Sequence, residues 1–337
     1  GLRVAGRLDE AATVLGEVIA DYGRRRSSER ATAHLMLARV LHAQGDSGAA
    51  LDHLELAAGM DAGNPAIMQM LAQTARENGQ LERAERSYRA LLIVARRSDA
   101  NEPGAPAIGA AQVLVELASI ANERGQTTQA QELIESALEA LAQDDSQAPG
   151  LQKLLAERGD DELLRRVLEA RLHHVDNRRR RAEVLAELAR LHAKAGQGAR
   201  ALEQVLAAVA ADPGSPPVHA LAREIATAEG QIHRYGEELE QQLEKARRTS
   251  DVHVRCELLL RLAEVLEKDQ ADIERAAILL AQAEATGVRE VDVWRALARV
   301  AAARGDTEEQ MRILARLAAL GEDAAETRAD ALYRMAE

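Results

Sequence analysis

The sequence predicts an all-α fold built as a solenoid of stacked two-helix repeats, and three recurrences predict it. Glycine returns at Gly45, Gly79, Gly125, Gly159, Gly196, Gly230 and Gly305, and three of the six separations equal 34 residues. A fixed period in this range marks a repeat architecture. A Leu-Ala pair stands eight and seven residues before the glycine in Leu37-Ala38, Leu71-Ala72, Leu117-Ala118, Leu188-Ala189 and Leu297-Ala298. Alanine follows the glycine by five residues at Ala50, Ala84, Ala130 and Ala201, and Ala11 stands in the same relation to Gly6.

Each unit therefore reads as a first helix, a glycine turn and a second helix. Glycine suits the turn because a helix that ends on a left-handed residue avoids the Cβ penalty there only with glycine. The alanines suit helix axes that approach closely and leave room for a methyl group. Counting outward places units at about 31 to 64, 65 to 98, 111 to 144, 145 to 178, 182 to 215, 216 to 249, 256 to 290 and 291 to 324. Five departures interrupt the series. Pro103, Gly104 and Pro106 forbid helix in the segment 98 to 109, which should project as a loop. Pro149-Gly150 should shorten the first helix of the next unit, and Leu164 and Arg171 replace small residues in its second. Arg223 and Tyr235 hold small-residue positions around Gly230, which puts regular packing there in doubt. The unit around Leu262-Ala263 and Ala276 has one extra residue and Ala271 in place of the turn glycine. A solenoid bent at these places is expected, continuous from 1 to 337 as one domain, with about eight full repeats and partial ones at both ends.

These residues resemble the tetratricopeptide repeat family, whose 34-residue helix-turn-helix carries small residues at its eighth and twentieth positions. The match is fullest over 182 to 217, where Leu185, Leu188, Ala189, Gly196, Ala201 and Ala208 lead to Asp212-Pro213. Trp294 falls at the family's fourth position, where tryptophan is common. The resemblance implies a right-handed superhelix whose first helices line a concave groove that binds a protein or peptide segment. The position just after the Leu-Ala pair would point into that groove, and it holds Arg39, Gln73, Ser119, Arg190, Glu224, Glu264 and Arg299, polar in every case. Arg295 lies one turn before Arg299, a like-charge spacing that costs a few tenths of a kcal/mol unless an anion lies between. That anion is either a partner's or Asp292 of the chain itself. The clamp by which some family members grip a C-terminal carboxylate is not reproduced, since Leu35, Gln69 and Val115 occupy its positions. The alanine- and arginine-rich idiom fits a bacterial source of high GC content.

Both ends read as cut hairpins. Only five residues precede Gly6, and residues 331 to 337 form a first helix with no second one after it. Terminal repeats normally carry polar caps, so the expectation is a window of a longer protein, and the compartment stays open.

Composition suits a helical chain with no aromatic-rich core: 47% hydrophobic residues, 29% charged, 7 Pro, no Phe and five aromatics in all. No apolar run approaches the roughly 18 residues that span a bilayer. The single Cys256 excludes an internal disulfide and reads as a small buried apolar residue beside Leu258 and Leu259. His253 lies one turn before it, but two ligands do not make a zinc site. His173 and His174 are adjacent and diverge on a helix, and His42, His53 and His192 read as isolated surface or packing residues. No nucleophile elbow, HExxH or phosphate loop is present, so no catalytic role, metal or cofactor is expected.

At a net charge of −12 the chain should repel nucleic acid. Two basic runs cut against that average, Arg24-Arg25-Arg26 and Arg178-Arg179-Arg180-Arg181. Four arginines at a helix start oppose the macrodipole, and they serve either as a solvated connector paired with carboxylates such as Glu183 and Glu187 or as an anion contact. Three functional readings follow. The first is a non-catalytic scaffold that docks a partner's segment at Arg39, Gln73, Arg190, Arg295 and Arg299. The second is a sensory arm of a larger enzyme or transcription regulator, and the third is a self-associating component of an assembly.

Overall fold

A computed structural model of the chain describes residues 7–96, 108–319 and 325–336. Gly6, Glu337 and the predicted loop prolines Pro103 and Pro106, with Gly104, lie outside the described residues. Among those described, the regular elements are eighteen α-helices and one 3-10 turn, with no strand. The chain divides into two compact units, Gly1–Ala170 and Arg171–Glu337. The first holds α1 (Leu8–Asp21), α2 (Ser28–Ala43), α3 (Ser47–Met60), α4 (Pro65–Glu77), α5 (Leu81–Ala95), α6 (Ala110–Glu123), α7 (Thr127–Gln143) and α8 (Ala148–Arg158), and the boundary falls in the last turn of α9 (Asp161–Leu172). The second holds α10 (Arg178–Lys194), α11 (Gly198–Ala211), α12 (Pro216–Ala228), α13 (Ile232–Ala246), α14 (Val252–Lys268), α15 (Ile273–Glu284), α16 (Glu290–Arg304), α17 (Thr307–Ala318) and α18 (Ala325–Ala336).

Consecutive helices pair as hairpins, α2 with α3, α4 with α5 and α6 with α7 in the first unit, and α10 with α11, α14 with α15 and α16 with α17 in the second. First helices also touch the next first helix, as α6 touches α8 and α14 touches α16. This is an all-α solenoid of helix-turn-helix repeats, in which each hairpin buries its apolar face on its neighbours. All seven predicted turn glycines have positive φ. At Gly45, with φ +87°, the glycine N–H donates to His42 O and the Asp46 N–H to Leu41 O, both at 3.0 Å. That bonding closes the exposed end of α2 and reverses the chain into α3.

Alanines at the predicted contacts are fully buried: Ala38, Ala50, Ala72, Ala84, Ala189, Ala201 and Ala276 are 0% exposed. Enlarging one would overpack the hairpin by roughly 1–3 kcal/mol. The gaps between alanines are filled by Leu, Val and Ile, in one cluster around Leu51, Leu54, Ile67 and Leu91 and another around Leu202, Val205, Leu239, Leu258 and Leu280. Cys256 is buried in the second cluster, its Sγ 3.5 Å from Val288 O.

The departures from the pattern have physical outcomes. α8 begins with Pro149 in its first turn and runs 11 residues, the shortest of the eighteen helices. Leu164 and Arg171 are buried where smaller residues stand elsewhere. Between α12 and α13 the place of a methyl contact is taken by a polar pair. Tyr235 and His219 are each 1% exposed, and His219 Nδ1 lies 2.9 Å from the Tyr235 hydroxyl while Nε2 lies 2.9 Å from Pro213 O. A carbonyl only accepts, so Nε2 carries the proton, Nδ1 accepts, and Tyr235 donates. His53 is not isolated either: its Nδ1 lies 2.9 Å from Nδ1 of the buried His34 across α2 and α3. His192 is buried and bonded to Gln197 Oε1 at 2.8 Å. Ala271, in the glycine position, adopts φ +53° all the same.

Two measurements follow from these outcomes. A left-handed alanine carries strain of roughly 1–2 kcal/mol that glycine lacks, partly offset by glycine's greater freedom when unfolded. Ala271→Gly should therefore stabilise the second unit by about 0.5–1 kcal/mol in urea denaturation, and an unchanged or lower midpoint would contradict the strain. Burial pushes the His219 imidazole down to about 4, against a partial upward pull from the Pro213 carbonyl. The unfolded chain takes up its proton near pH 6.5 and the folded chain only near 4, so the unfolded state holds more protons between those values. Stability contributed by neutral His219 is complete above pH 6.5 and drains as pH falls toward 4. Imidazole proton shifts should show His219 titrating far below 6.5, and Tyr235→Phe, which strands Nδ1, should lower stability by about 1–3 kcal/mol.

Candidate partner-binding groove

In the first unit, the first helices of two consecutive hairpins and the turn between them enclose a groove of about 620 Å³. Local sequence fixes its rim. Asn64 Oδ1 accepts from the Ala66 N–H at 3.1 Å, and Pro65 takes the first helical position, where a missing N–H is no loss. From that start α4 projects Gln69, Met70, Gln73, Thr74 and Glu77 along one wall, and α2 places Arg39 and His42 on the other.

Arg39 and Gln73, the first two groove positions read from the sequence, thus line the same cavity. Both are exposed. The Arg39 guanidinium has no hydrogen bond or ion pair among the described residues, and neither carboxamide, Gln69 nor Gln73, has a partner there. Two carboxylates stand at the rim: Glu77 Oε2 lies 3.6 Å from His42 Nδ1, and Asp61 accepts from Asn64 Nδ2 at 3.2 Å. The cavity therefore offers one cation, two carboxylates, two amides that each donate and accept, and the apolar surfaces of Pro65 and Met70.

The remaining positions of the series differ in kind. One turn beyond Gln73, Arg76 Nη1 donates to Glu116 of α6 at 2.6 Å and Nη2 to Ser119 at 2.5 Å, with Glu123 as a further partner. Glu116 is 6% exposed and also binds Arg158 of α8. Three first helices are thereby tied through one carboxylate, and Ser119 is half-buried in the tie. In the second unit Arg190 pairs with Glu187 and Glu264 is surrounded by Lys268, Arg261 and Arg223. Arg299 binds Glu267 of α14 through Nε at 2.6 Å and Nη2 at 2.8 Å. Asp292 is taken by Arg289 at 2.8 Å, and Arg295 interacts within the chain. Glu224 is exposed.

The arginine run opens α10. Asn177 Oδ1 accepts from the Arg180 N–H at 3.0 Å and caps the helix whose dipole the arginines oppose. Arg179 Nε lies 3.4 Å from Glu183, and Arg181 donates to Leu172 O at 2.9 Å. The Arg178 and Arg180 side chains are exposed. Arg26 of the other run donates to Gly59 O at 2.9 Å. Sequence reasoning did not find Arg76, Glu116 and Arg158. Glu116 immediately precedes a Leu-Ala pair, but so does the exposed Glu187, so that position did not signal the tie.

Fold and groove together define a helical-repeat solenoid that presents the polar side of its first helices. Residues 2–65, which span the first hairpins and half of the groove, match the tetratricopeptide repeat family. The match is confined to that segment, and it supports a helical-repeat interaction scaffold in general terms. No curated protein matches the sequence. Among solved structures, the chain is similar to yeast Tom70 at 12% identity, over 97% of this chain and 96% of that one, with a TM-score of 0.41. It is similar to the P58(IPK) TPR domain at 15% identity, over 98% and 94%, with a TM-score of 0.26. It is also similar to a chain of the Naa15/Naa10 structure bound to HypK-THB, at 16% identity and a TM-score of 0.32, where it covers 94% of itself and spans 56% of that chain's length.

Replacing Glu116 by glutamine tests the tie. It leaves the Arg76 and Arg158 guanidinium groups without their shared counter-charge in a part-buried setting. A loss of about 1–3 kcal/mol of first-unit stability is expected in urea denaturation; a change within a few tenths would show the three-helix tie to be a surface pairing.

Proposed function

We propose that this chain is a non-catalytic protein-interaction scaffold, and that the groove between α2 and α4 receives an extended segment of a partner protein. The observation that carries the reading is the state of the groove's polar groups. Arg39, Gln69 and Gln73 line an open cavity with their hydrogen-bonding capacity unused, whereas Arg76, Arg190 and Arg299 are engaged by the chain's own carboxylates. An extended segment presents unpaired backbone N–H and C=O groups, and carboxamides that both donate and accept satisfy either one. The volume suits a few residues of such a segment, seated on the apolar surfaces of Met70 and Pro65.

Site-specific photo-crosslinking tests this reading. A benzophenone side chain placed at Gln73 should give discrete adducts with a partner in cells, and the same group at Ile93, which is 55% exposed on α5, should not. Adducts of equal identity and yield from both positions would place recognition elsewhere on the molecule.

A further inference from the structure

A second cavity, of about 380 Å³, lies in the second unit where the last residue of α15, the first turn of α16 and the last turn of α17 come together. We propose that it is a binding site for a basic side chain, the ammonium of a Lys or the guanidinium of an Arg carried by a partner protein, and that Trp294 and Glu290 hold the cation. The site draws on no residue of the α2/α4 groove and does not rest on that reading.

The charges around this cavity do not balance. Glu284, Glu290 and Arg316 line it. Arg316 is already matched, because its Nη1 donates to Glu284 Oε1 at 2.6 Å. Glu290 is exposed and has no hydrogen bond or ion pair among the described residues. Neighbouring cations are spent elsewhere: Arg289, the residue before it, binds Glu257 and Asp292, and Arg312, one turn before Arg316, binds Glu309. One carboxylate is therefore left over. Helix ends add to the same sign, since α15 and α17 bring two negative C-terminal ends to the cavity and α16 one positive N-terminal end. An anionic guest is repelled, and a cation is the guest that closes the balance.

The aromatic surface supplies the second contact. A helical side chain leans toward the N-terminus of its helix, so the ring of Trp294, four residues after Glu290, covers the turn that Glu290 opens. That ring is held in place, with its Nε1 donating to Glu284 at 3.2 Å and the Arg316 guanidinium 5.7 Å from the ring centroid. Tryptophan attracts a cation to its face more strongly than tyrosine or phenylalanine does. A guest ammonium or guanidinium entering beside Glu290 thus meets ring and carboxylate together, while its methylene stem lies along Val288.

The single tryptophan of the chain lets the site report on itself. A display library of short peptides is panned against the full chain and depleted on Glu290→Gln, which discards sequences bound anywhere else. Survivors are remade with acetylated N termini and amidated C termini and titrated by Trp294 fluorescence, with calorimetry for the tryptophan variants. The expected result is that survivors share a Lys or Arg, that binding shifts the Trp294 emission and weakens with added salt, and that affinity falls about three- to tenfold in Glu290→Gln. Trp294→Leu should lose affinity to a similar degree, and Trp294→Phe, which keeps a ring, should retain part of it. Replacing the peptide's Lys by norleucine, or its Arg by citrulline, should cost the same factor in wild type and almost nothing in Glu290→Gln. Circular dichroism of the variants guards against loss of fold. Survivors without Lys or Arg, no survivors at all, or basic peptides that bind without changing the Trp294 emission would overturn the proposal. Spermidine that competes as strongly as the peptides would overturn the assignment to a partner's side chain in favour of a free polyamine.

Discussion

The clearance between paired helices governs everything else in this molecule. At Ala50, Ala84, Ala201 and Ala276 the side chain in the hairpin contact is a fully buried methyl group. A chain without phenylalanine fills its interior mainly with Leu, Val and Ile, and Tyr88 and Tyr235 are its fully buried rings. Close approach within a hairpin also fixes which side of each first helix faces inward, because the Leu-Ala pair is consumed by packing. The residue that follows the pair is left on the open side as a geometric consequence.

First helices held at this pitch come within reach of long side chains from the next repeat. Arginine bridges that gap well, since its stem packs along apolar surface while its planar head forks onto a carboxylate. Arg76 to Glu116, Arg158 to Glu116 and Arg299 to Glu267 are all pairs of this type, between residues 32 to 42 apart in the chain. Glu116 is buried and clamped from both sides, which makes it a register device as much as a source of stability. First helices thus carry two kinds of polar residue, those spent on joining repeats and those left open.

The part of this arrangement that is local was legible in the sequence. The turn glycines, the Leu-Ala pairs and the small contacts each follow from spacing within a single hairpin, and the shortened α8 follows from Pro149. Position of the groove was partly legible too, since Arg39 and Gln73 emerge from the repeat frame and line one cavity. What could not be read was the assignment of partners. Glu267 rather than Asp292 neutralises at Arg299 because α14 lies alongside α16, a relation no single-hairpin spacing encodes. The same holds for Tyr235. Its sequence position signals a break in small-residue packing, but the solution, a hydrogen bond to a neutral His219 backed by the Pro213 carbonyl, depends on how two helices and a loop meet.

Arginines that join repeats are poor sites for an incoming anion, and exchange energetics give the reason. A partner carboxylate approaching Arg76 or Arg299 must displace one the chain already supplies. The new pair repeats the old one, and the released Glu116 or Glu267 is left near an anionic ligand. Net gain is close to zero, and for buried Glu116 it is negative. Arg39 has no such internal partner, although Asp61 and Glu77 line the same cavity, and an exposed guanidinium costs the fold little by remaining unpaired. Internal pairing therefore serves a second purpose alongside joining repeats: it withdraws Arg76 and Arg299 from binding an incoming anion.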